Sequence, residues 1–185
     1  MWGIVEDNTI TKLINNPKGI IIGDIRYSRK IFELWSEEEL NNVGLYSVIF
    51  DDSNKRNEEF YINTNQSFNY ADGQVTASYG SATGKEIDDV TIDGVTTKGL
   101  KTIKKEIVKK QADTELSKTD WYVVRKADDG TLIPSAITEH RTAVRNKSNE
   151  METAINNALD IDALASLYIY TDGERPLGEF PILEI

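Results

Sequence analysis

The stretch from Leu100 to Leu159 constrains the fold most, because apolar residues recur in it at steps of three and four. That spacing is the period of an α-helix, and it places the apolar side chains on one face. It predicts a first helix from Leu100 to about Val124, a polar turn at residues 127–130, and a second helix that begins at Pro134. Because the turn is short, we expect the two helices to pack as an antiparallel hairpin.

Each predicted helix carries an apolar stripe that it must bury, and the two stripes are expected to face each other. The stripe of the first helix consists of Leu100, Ile103, Ile107, Ala112 and Leu116. The stripe of the second helix consists of Ile133, Ile137, His140, Val144, Met151, Ile155 and Leu159. Asp160 follows, and it can serve as the N-cap of a third, short helix.

The N-terminal part of the chain alternates β-branched and aromatic residues with turn signals, which is typical of strands. The pairs Asp7–Asn8 and Asp72–Gly73 predict two β-hairpins. Residues 31–35 are predicted to be extended. Ser36 and Glu39 have the spacing of a capping box, which predicts a short helix directly after them.

The predicted fold class is therefore α+β. An N-terminal antiparallel β module precedes a C-terminal α-helical hairpin, which is followed by a short third helix and an extended tail. The composition changes from strand-like to helix-like between residues 84 and 99, where we place the domain boundary. The predicted segments are a mostly-β module at 1–84, a linker or small hairpin at 85–99, the helical hairpin module at 100–170 and the extended C-terminal tail at 171–185.

Charge and composition exclude several classes of partner and site. The chain has 185 residues and a formal net charge of -10, so its surface repels nucleic acid and anionic membranes. It has no cysteine and one histidine, which leaves no disulfide, no thiolate metal site and no zinc site of several histidines. The N-terminus lacks the basic start and apolar run of a signal peptide. We expect the protein to act in a cytoplasm or in a particle assembled there.

No arrangement of residues predicts catalysis or a cofactor. The acidic pairs Asp51–Asp52 and Asp128–Asp129 lie in turn sequences, where carboxylates cap the backbone and face water. Residues Gly80–Lys85 lack the spacing of a phosphate loop, and Glu86 stands where that loop needs Ser or Thr. His140 has no nucleophile or carboxylate placed by the sequence to work with it, so we interpret it as structural. We therefore predict no enzyme, no metal and no cofactor.

The one basic cluster lies in the first predicted helix and consists of Lys104, Lys105, Lys109 and Lys110, with Glu106 among them. Such a pattern predicts a solvated face with ion pairs, each worth ~0.3–0.5 kcal/mol. The face could instead dock on an acidic surface of a partner or of this chain.

A more specific pattern lies further along. In residues 116–126, LSKTDWYVVRK, an Asp-Trp pair follows a leucine and a Ser/Thr step, and Arg125 comes soon after. A polar turn then ends in Pro134, and residues 140–145, HRTAVR, carry two arginines one turn apart, with His140 where an aromatic residue is usual. This order resembles the C-terminal helical module of bacteriophage tail and tail-fibre assembly proteins. The tryptophan-bearing hairpin near the N-terminus and its Asn-Pro turn also resemble phage tail sequences.

The resemblance implies a phage protein that binds another tail or tail-fibre polypeptide, most often as a chaperone-like factor in tail or fibre assembly. It would act in the host cytoplasm, or remain in the virion tail. Tryptophan and arginine are the residue types that most often dominate interface energies. We therefore predict that the partner-binding residues are Trp121, Arg125, Arg141 and Arg145.

Two alternatives stay open. In the first, Trp121 fills the core of the hairpin and the arginines pair with nearby carboxylates, namely Asp120, Asp128 or Glu139. In the second, the protein is a permanent structural subunit of the tail, baseplate or fibre attachment, and residues 177–185 add a strand to a neighbouring subunit. Homo-oligomerisation is compatible with either.

Overall fold

The computed structural model describes residues 1–183 and is an α+β protein, with a sheet in its N-terminal part and helices in its C-terminal part. This confirms the predicted fold class. The chain divides into two compact units, Met1–Thr83 and Gly84–Ile185. The last two residues of the predicted tail, Glu184 and Ile185, lie outside the described part of the chain.

The first unit consists mainly of short strands. Its elements are β1 (Trp2–Glu6), β2 (Thr9–Ile14), β3 (Ile20–Ile22), β4 (Ile25–Tyr27), α1 (Ile31–Leu34), α2 (Glu37–Asn42), β5 (Leu45–Asp51), β6 (Tyr61–Ile62), β7 (Ser67–Ala71) and β8 (Gln74–Ser78). Strand β9 (Thr83–Gly84) falls at the boundary between the units. The predicted hairpins at Asp7–Asn8 and Asp72–Gly73 are both present.

Five strands form one sheet in the order β2-β1-β5-β8-β7. The pairs are antiparallel except β5 with β8, which run parallel from Val48 and Val75 to Asp51 and Ser78. The predicted antiparallel arrangement is therefore present at three of the four strand pairs and wrong at this one. Parallel neighbours need a crossover connection, and the chain between β5 and β8 provides it. Within this connection lies β7, which forms the outer strand of the sheet beyond β8.

The sheet buries apolar residues on both faces, because successive residues of its strands point to opposite faces and each face is covered by a core. One face holds a core of Ile4, Ile14, Ile20, Ile31, Leu40 and Leu45. The other face holds Val5, Val48, Val75 and Ala77. On this second face Gly3 leaves room for Val75, whose Cγ2 would lie 3.3 Å from a Cβ at Gly3.

The prediction of an extended segment at residues 31–35 is wrong, because this segment contains the helical turn α1. Ile31 is buried, and Phe32 and Trp35 pack against the same core. A strand would point neighbouring side chains to opposite faces, whereas a helical turn brings all three to one side. The capping box that follows is confirmed, since the Ser36 hydroxyl accepts from the Glu39 N–H and the Glu39 carboxylate accepts from the Ser36 N–H.

The second unit contains a small hairpin and four helices. Its elements are β10 (Val90–Ile92), β11 (Val95–Thr97), α3 (Leu100–Ser117), α4 (Asp120–Asp129), α5 (Ser135–Asn157) and α6 (Ile161–Ser166). Helices α3 and α5 pack against each other. The predicted N-cap of the last helix is confirmed, because the Asp160 carboxylate accepts from the Ala163 N–H at 2.7 Å.

The prediction of one helix from Leu100 to about Val124 is wrong. Helix α3 ends at Ser117, and α4 begins at Asp120 in its place. Most of the predicted turn at 127–130 belongs to α4, and only Gly130 ends the helix, in the left-handed region at φ 78°. At the break, Arg141 of α5 donates to Leu116, Thr119 and Asp120.

The predicted stripe of α3 is only partly right. Its buried residues are Leu100, Lys104, Val108 and Ala112, at steps of four, whereas Ile103 and Ile107 are 38% and 44% exposed. Lys104 is not on a solvated face, because its aliphatic stem is buried and its ammonium lies 4.5 Å from the centre of the Tyr168 ring. The prediction missed this buried row because it counted only apolar residues, and Lys104 is charged.

The predicted stripe of α5 agrees better with the structure. Its buried residues are Ile137, His140, Val144, Ser148, Met151 and Ile155. Leu159 lies beyond the end of α5 and is 90% exposed, so its predicted place in the stripe is wrong. Part of the basic cluster docks on the chain's own α5, since Lys109 pairs with Glu152 at 3.4 Å.

Candidate partner-binding site

Helix α4 is the least buried of the longer helices. None of its ten residues is buried, whereas α3 and α5 each bury a full row of side chains. A helix normally forms in a protein because an apolar face packs on a neighbour. Since α4 lacks such a face toward its own chain, its apolar side chains are presented to solvent.

Local hydrogen bonds hold the far end of α4. The Gly130 N–H donates to the Lys126 carbonyl at 3.1 Å, and the Asp129 carboxylate accepts from the Thr131 N–H at 2.8 Å. Hydrogen bonds from the side chain and then the backbone of Thr131 lower the pKa of Asp129, with a smaller contribution from the charge of Arg125. The helix end is thus fixed without contact to the core.

One side of α4 carries two aromatic rings and a guanidinium in contact. The Trp121 and Tyr122 ring centroids are 4.0 Å apart. The Arg125 guanidinium lies 4.6 Å from the Trp121 ring centre and 5.7 Å from that of Tyr122. These distances are within the range of cation–π attraction, so the three side chains order one another.

An apolar side chain extends this group. Val124 lies three residues after Trp121, on the same side of the helix, and is 65% exposed, while Trp121 itself is 52% exposed. Below, the α4 surface means the side chains of Trp121, Tyr122, Val124 and Arg125. Trp121 and Val124 thus place exposed apolar area side by side on α4.

The Arg125 guanidinium forms no close ion pair with a carboxylate of the described residues, and its charge is only a smaller cause of the lowered pKa of Asp129. Its Nε atom is buried and makes no hydrogen bond to any of them. The Trp121 and Tyr122 rings cover part of the group, and covering leaves an arginine donor without water. The α4 surface therefore combines apolar area with the positive charge of Arg125.

Arg141 lies on α5 and is used within the chain. Its Nη1 donates to the Leu116 carbonyl at 2.7 Å, to the Thr119 hydroxyl at 2.7 Å and to the Asp120 carboxylate at 2.8 Å. Leu116 and Thr119 lie at the junction of α3 and α4, so this arginine satisfies the backbone where the helix breaks. Its side chain is only 11% exposed.

Arg145 is exposed and lies one turn further along α5. It donates to the Arg141 carbonyl at 3.4 Å and lines an open groove of about 340 Å³ together with Lys109, Ala112 and Leu116. The four predicted residues therefore do not form one cluster. Trp121 and Arg125 are in contact, Arg141 pairs with Asp120 as the alternative prediction has it, and Arg145 faces a separate groove.

Two members of the α4 surface were missed from the sequence, Tyr122 and Val124. Each had a usable signal, because Tyr122 adjoins Trp121 and Val124 lies three residues after it on the same helix. Trp121 does not fill the core, in contrast to the alternative prediction for that residue. The core position next to α3 is taken by Thr119, which is 1% exposed.

The single histidine of the chain lies on α5 and is not part of the α4 surface. His140 is buried on α5, and its Nε2 makes no hydrogen bond to any described residue. Within residues 1–183, no group of three His, Asp or Glu residues is arranged to hold a metal ion. Within the same residues, no helix is both long and apolar enough to cross a bilayer.

Comparisons of the chain with protein-family models, with curated proteins and with solved structures find no match. Two observations therefore bear on the function, namely the geometry of the α4 surface and the sequence pattern in which it lies.

Proposed function

We propose that this protein binds another polypeptide through the α4 surface, and that this polypeptide is a tail or tail-fibre protein of a bacteriophage under assembly. The observation that carries the proposal is that α4 buries none of its residues and yet presents Trp121 and Val124 to solvent. The class of partner comes from the resemblance of residues 116–145 to phage tail assembly proteins.

The α4 surface has the composition of an interface centre. Tryptophan, tyrosine and arginine are the residue types whose truncation most often costs an interface ~2 kcal/mol or more. Trp121 and Arg125 already hold each other in place, so little side-chain entropy is lost when a partner covers them. This preorganisation favours tight binding by a small surface.

The positive charge of Arg125 indicates which side chains the partner should present. A guanidinium that is stacked on two rings and forms no close ion pair among the described residues favours a partner that brings a carboxylate. The partner segment is therefore expected to present an Asp or Glu among large apolar side chains. A nucleic acid is disfavoured because the chain carries a net charge of -10.

The test is co-expression of the protein with the tail or tail-fibre polypeptide encoded beside it, followed by affinity purification. Wild type is expected to copurify with the polypeptide and to raise its soluble yield. Trp121→Ala and Arg125→Ala are each expected to weaken the interaction at least ~30-fold, the equivalent of about 2 kcal/mol. The matched control is Leu159→Ala, which removes a 90% exposed apolar side chain of the same unit away from α4.

Stability has to be measured on the same variants. Because α4 buries no side chain, Trp121→Ala is expected to change the free energy of unfolding by less than ~1 kcal/mol. Equal copurification by Trp121→Ala and wild type would rule out binding through α4. A large loss of stability would place Trp121 in the core instead.

The second candidate is a permanent structural subunit of the virion, and the described tail favours it. Residues 179–183 form neither helix nor strand, and Ile182 is 87% exposed. An apolar extended segment of this kind can pair with a neighbouring subunit. Mass spectrometry of purified particles distinguishes the two, since a subunit gives stoichiometric peptides and an assembly factor gives none.

A further inference from the structure

The hairpin β10–β11 is a ribbon with one exposed apolar face. Ile92 pairs with Val95 and Val90 pairs with Thr97, so these four side chains share a face, while Thr91 and Thr96 share the other. Val90, Ile92 and Val95 are 38%, 67% and 71% exposed. An isolated two-stranded ribbon is marginally stable in water and gains most from a third strand.

Both outer edges of this ribbon are available. The ribbon forms a sheet of two strands only, and no further backbone hydrogen bond from residues 90–97 to another described residue is present. Its strands carry no charged residue, and edge strands that must stay alone usually carry one. The ribbon thus lacks the features that block strand addition.

The same unit carries a segment suited to such an edge. This segment comprises residues 180–183. The residues before it are held in place, because the Leu177 N–H donates to the Leu167 carbonyl and Glu179 pairs with Arg175. Residues 180–183 themselves form no backbone hydrogen bond to any described residue. We call residues 180–183, Phe-Pro-Ile-Leu, the arm.

The arm cannot reach the ribbon of its own chain by a small movement. The ribbon precedes the N-terminus of α3, whereas the arm lines an open cavity with Glu115 and Lys118 at the other end of that helix. With 18 residues, α3 separates the two by about 27 Å. In every copy of the protein, the second unit therefore presents the open edge of the ribbon at one end of α3 and the apolar arm at the other end.

We infer that the arm of one copy of this protein adds as a third strand to the β10–β11 ribbon of a second copy. Phe180 and Ile182 are two residues apart, so in an extended arm their side chains point to the same face. Both can therefore cover the apolar face formed by Val90, Ile92 and Val95. The N–H groups of Phe180 and Ile182 point to one side of the arm, and Pro181, which has none, points to the other. The arm can therefore bond to the ribbon through one edge and leave an outer edge that the proline blocks.

The charge distribution is compatible with self-association at this contact. The chain carries a net charge of -10, which opposes association of copies in general. Ribbon strands and arm contain no charged residue, so the contact itself joins uncharged surfaces. Because arm and ribbon are different surfaces, the association is head to tail and continues into a ring or a filament. The α4 surface takes no part in it.

The test uses the full chain in sedimentation velocity over a range of concentrations. Wild type is expected to form oligomers beyond the dimer as the concentration rises. Ile182→Asp in the arm and Val95→Asp in the ribbon are each expected to weaken the association at least about tenfold. Leu159→Asp, an equally exposed apolar position outside both surfaces, is expected to associate like wild type.

Mixing the two variants makes the test specific. The Ile182→Asp chain keeps an intact ribbon, and the Val95→Asp chain keeps an intact arm, so the mixture is expected to form a 1:1 dimer that grows no further. Circular dichroism of each variant checks that the helices are intact, and Ile182→Asp retains a test of the arm if Val95→Asp does not fold. The inference is overturned if wild type stays monomeric up to about 1 mM, if Ile182→Asp associates like wild type, or if two folded variants do not combine.

Discussion

At the scale of single residues, the start of α3 is held by a segment that precedes the ribbon. The Leu100 and Lys101 N–H groups donate to the carbonyls of Glu86 and Ile87 at 3.0 and 2.9 Å. The Gly99 N–H donates to the Asp89 carboxylate at 2.8 Å. These bonds satisfy the donors that a helix leaves open at its N-terminus, and no side chain of the N-cap residue is involved.

Gly99 is required by this close approach. Its φ of -79° suits any residue, but a Cβ there would lie 2.6 Å from the Ile87 carbonyl oxygen and would overlap the Asp88 carbonyl group. We expect Gly99→Ala to lower the free energy of unfolding by ~2 kcal/mol or more in urea titrations. The control is Gly19→Ala, where the nearest atom would lie at 3.7 Å and the change should stay below ~1 kcal/mol. Equal effects at both glycines would contradict this account.

Asp89 makes the same junction sensitive to pH. The hydrogen bond from the Gly99 N–H, followed by that from the Thr102 side chain, lowers the pKa of Asp89 below the ordinary carboxyl value of 3.8. A carboxyl with a lowered pKa stabilises the fold above that ordinary value, and the contribution is lost as the pH falls through the lowered pKa. Asp89→Asn should therefore be less stable than wild type at pH 7, with a difference that shrinks toward pH 3. A difference in urea midpoint that is independent of pH would show that the charge plays no part.

At the scale of elements, the junction of α3 and α4 depends on a residue of α5. Arg141 donates to three acceptors at the junction, which include a backbone carbonyl and a buried hydroxyl. Removing this arginine deletes its hydrogen bonds to all three acceptors and its ion pair with Asp120, whereas the Leu116 carbonyl keeps the bonds from the Thr119 N–H at 3.1 Å and hydroxyl at 2.9 Å. The junction in turn sets where α4 begins and which side chains it presents.

We expect Arg141→Met to lower the free energy of unfolding by ~1.5–3 kcal/mol in urea titrations, the range for hydrogen bonds of a charged group. The matched control is Arg145→Met, one turn along the same helix, where a single long contact to the Arg141 carbonyl is lost. Its effect should stay within ~0.5 kcal/mol. If the two variants were equally stable, Arg141 would be open to a partner and the sequence-based prediction of its role would gain support.

The elements that could be predicted from the sequence are those whose determinants lie close together in the chain. The capping box of Ser36 and the turn at Asp72–Gly73 involve residues at most three apart, and both are present. At the break of the first predicted helix, the Leu116 carbonyl accepts from Arg141, which lies 25 residues further along the chain. No local pattern reports such a partner.

The candidate site was predictable in residue type and not in arrangement. Tryptophan and arginine at Trp121 and Arg125 indicate interface chemistry from the sequence alone. Whether Trp121 faces a core or solvent depends on which helix reaches it, and α5 supplies Arg141 at the junction but buries none of α4. The buried row of α3 was mispredicted for a similar reason, because Lys104 is buried beneath Tyr168 from a distant part of the chain.

At the scale of the whole molecule, the chain consists of two units with separate cores. The first unit buries both faces of a five-stranded sheet, and the second buries the facing rows of α3 and α5. Units with their own cores generally fold on their own. The α4 surface, the ribbon and the arm all belong to the second unit.

The fragment of residues 84–185 is therefore expected to fold alone and to keep the binding activity of the full chain. Circular dichroism should report its helices, and a cooperative thermal transition should report its core. The matched control is the fragment of residues 1–83, which should fold as a β-rich unit and bind no tail polypeptide. Binding of the tail polypeptide by the fragment of residues 1–83 alone would show that the binding site is not on α4.

Hydrogen exchange of the complex with the copurified tail polypeptide tests the central claim most directly. Backbone amides of the exposed helix α4 should exchange readily in the free protein, and a partner that covers the α4 surface should slow them. The account predicts protection of residues 120–132 on binding, and no such protection when Trp121→Ala is mixed with the same polypeptide at equal concentration. Protection confined to other residues, with unchanged exchange in α4, would contradict it.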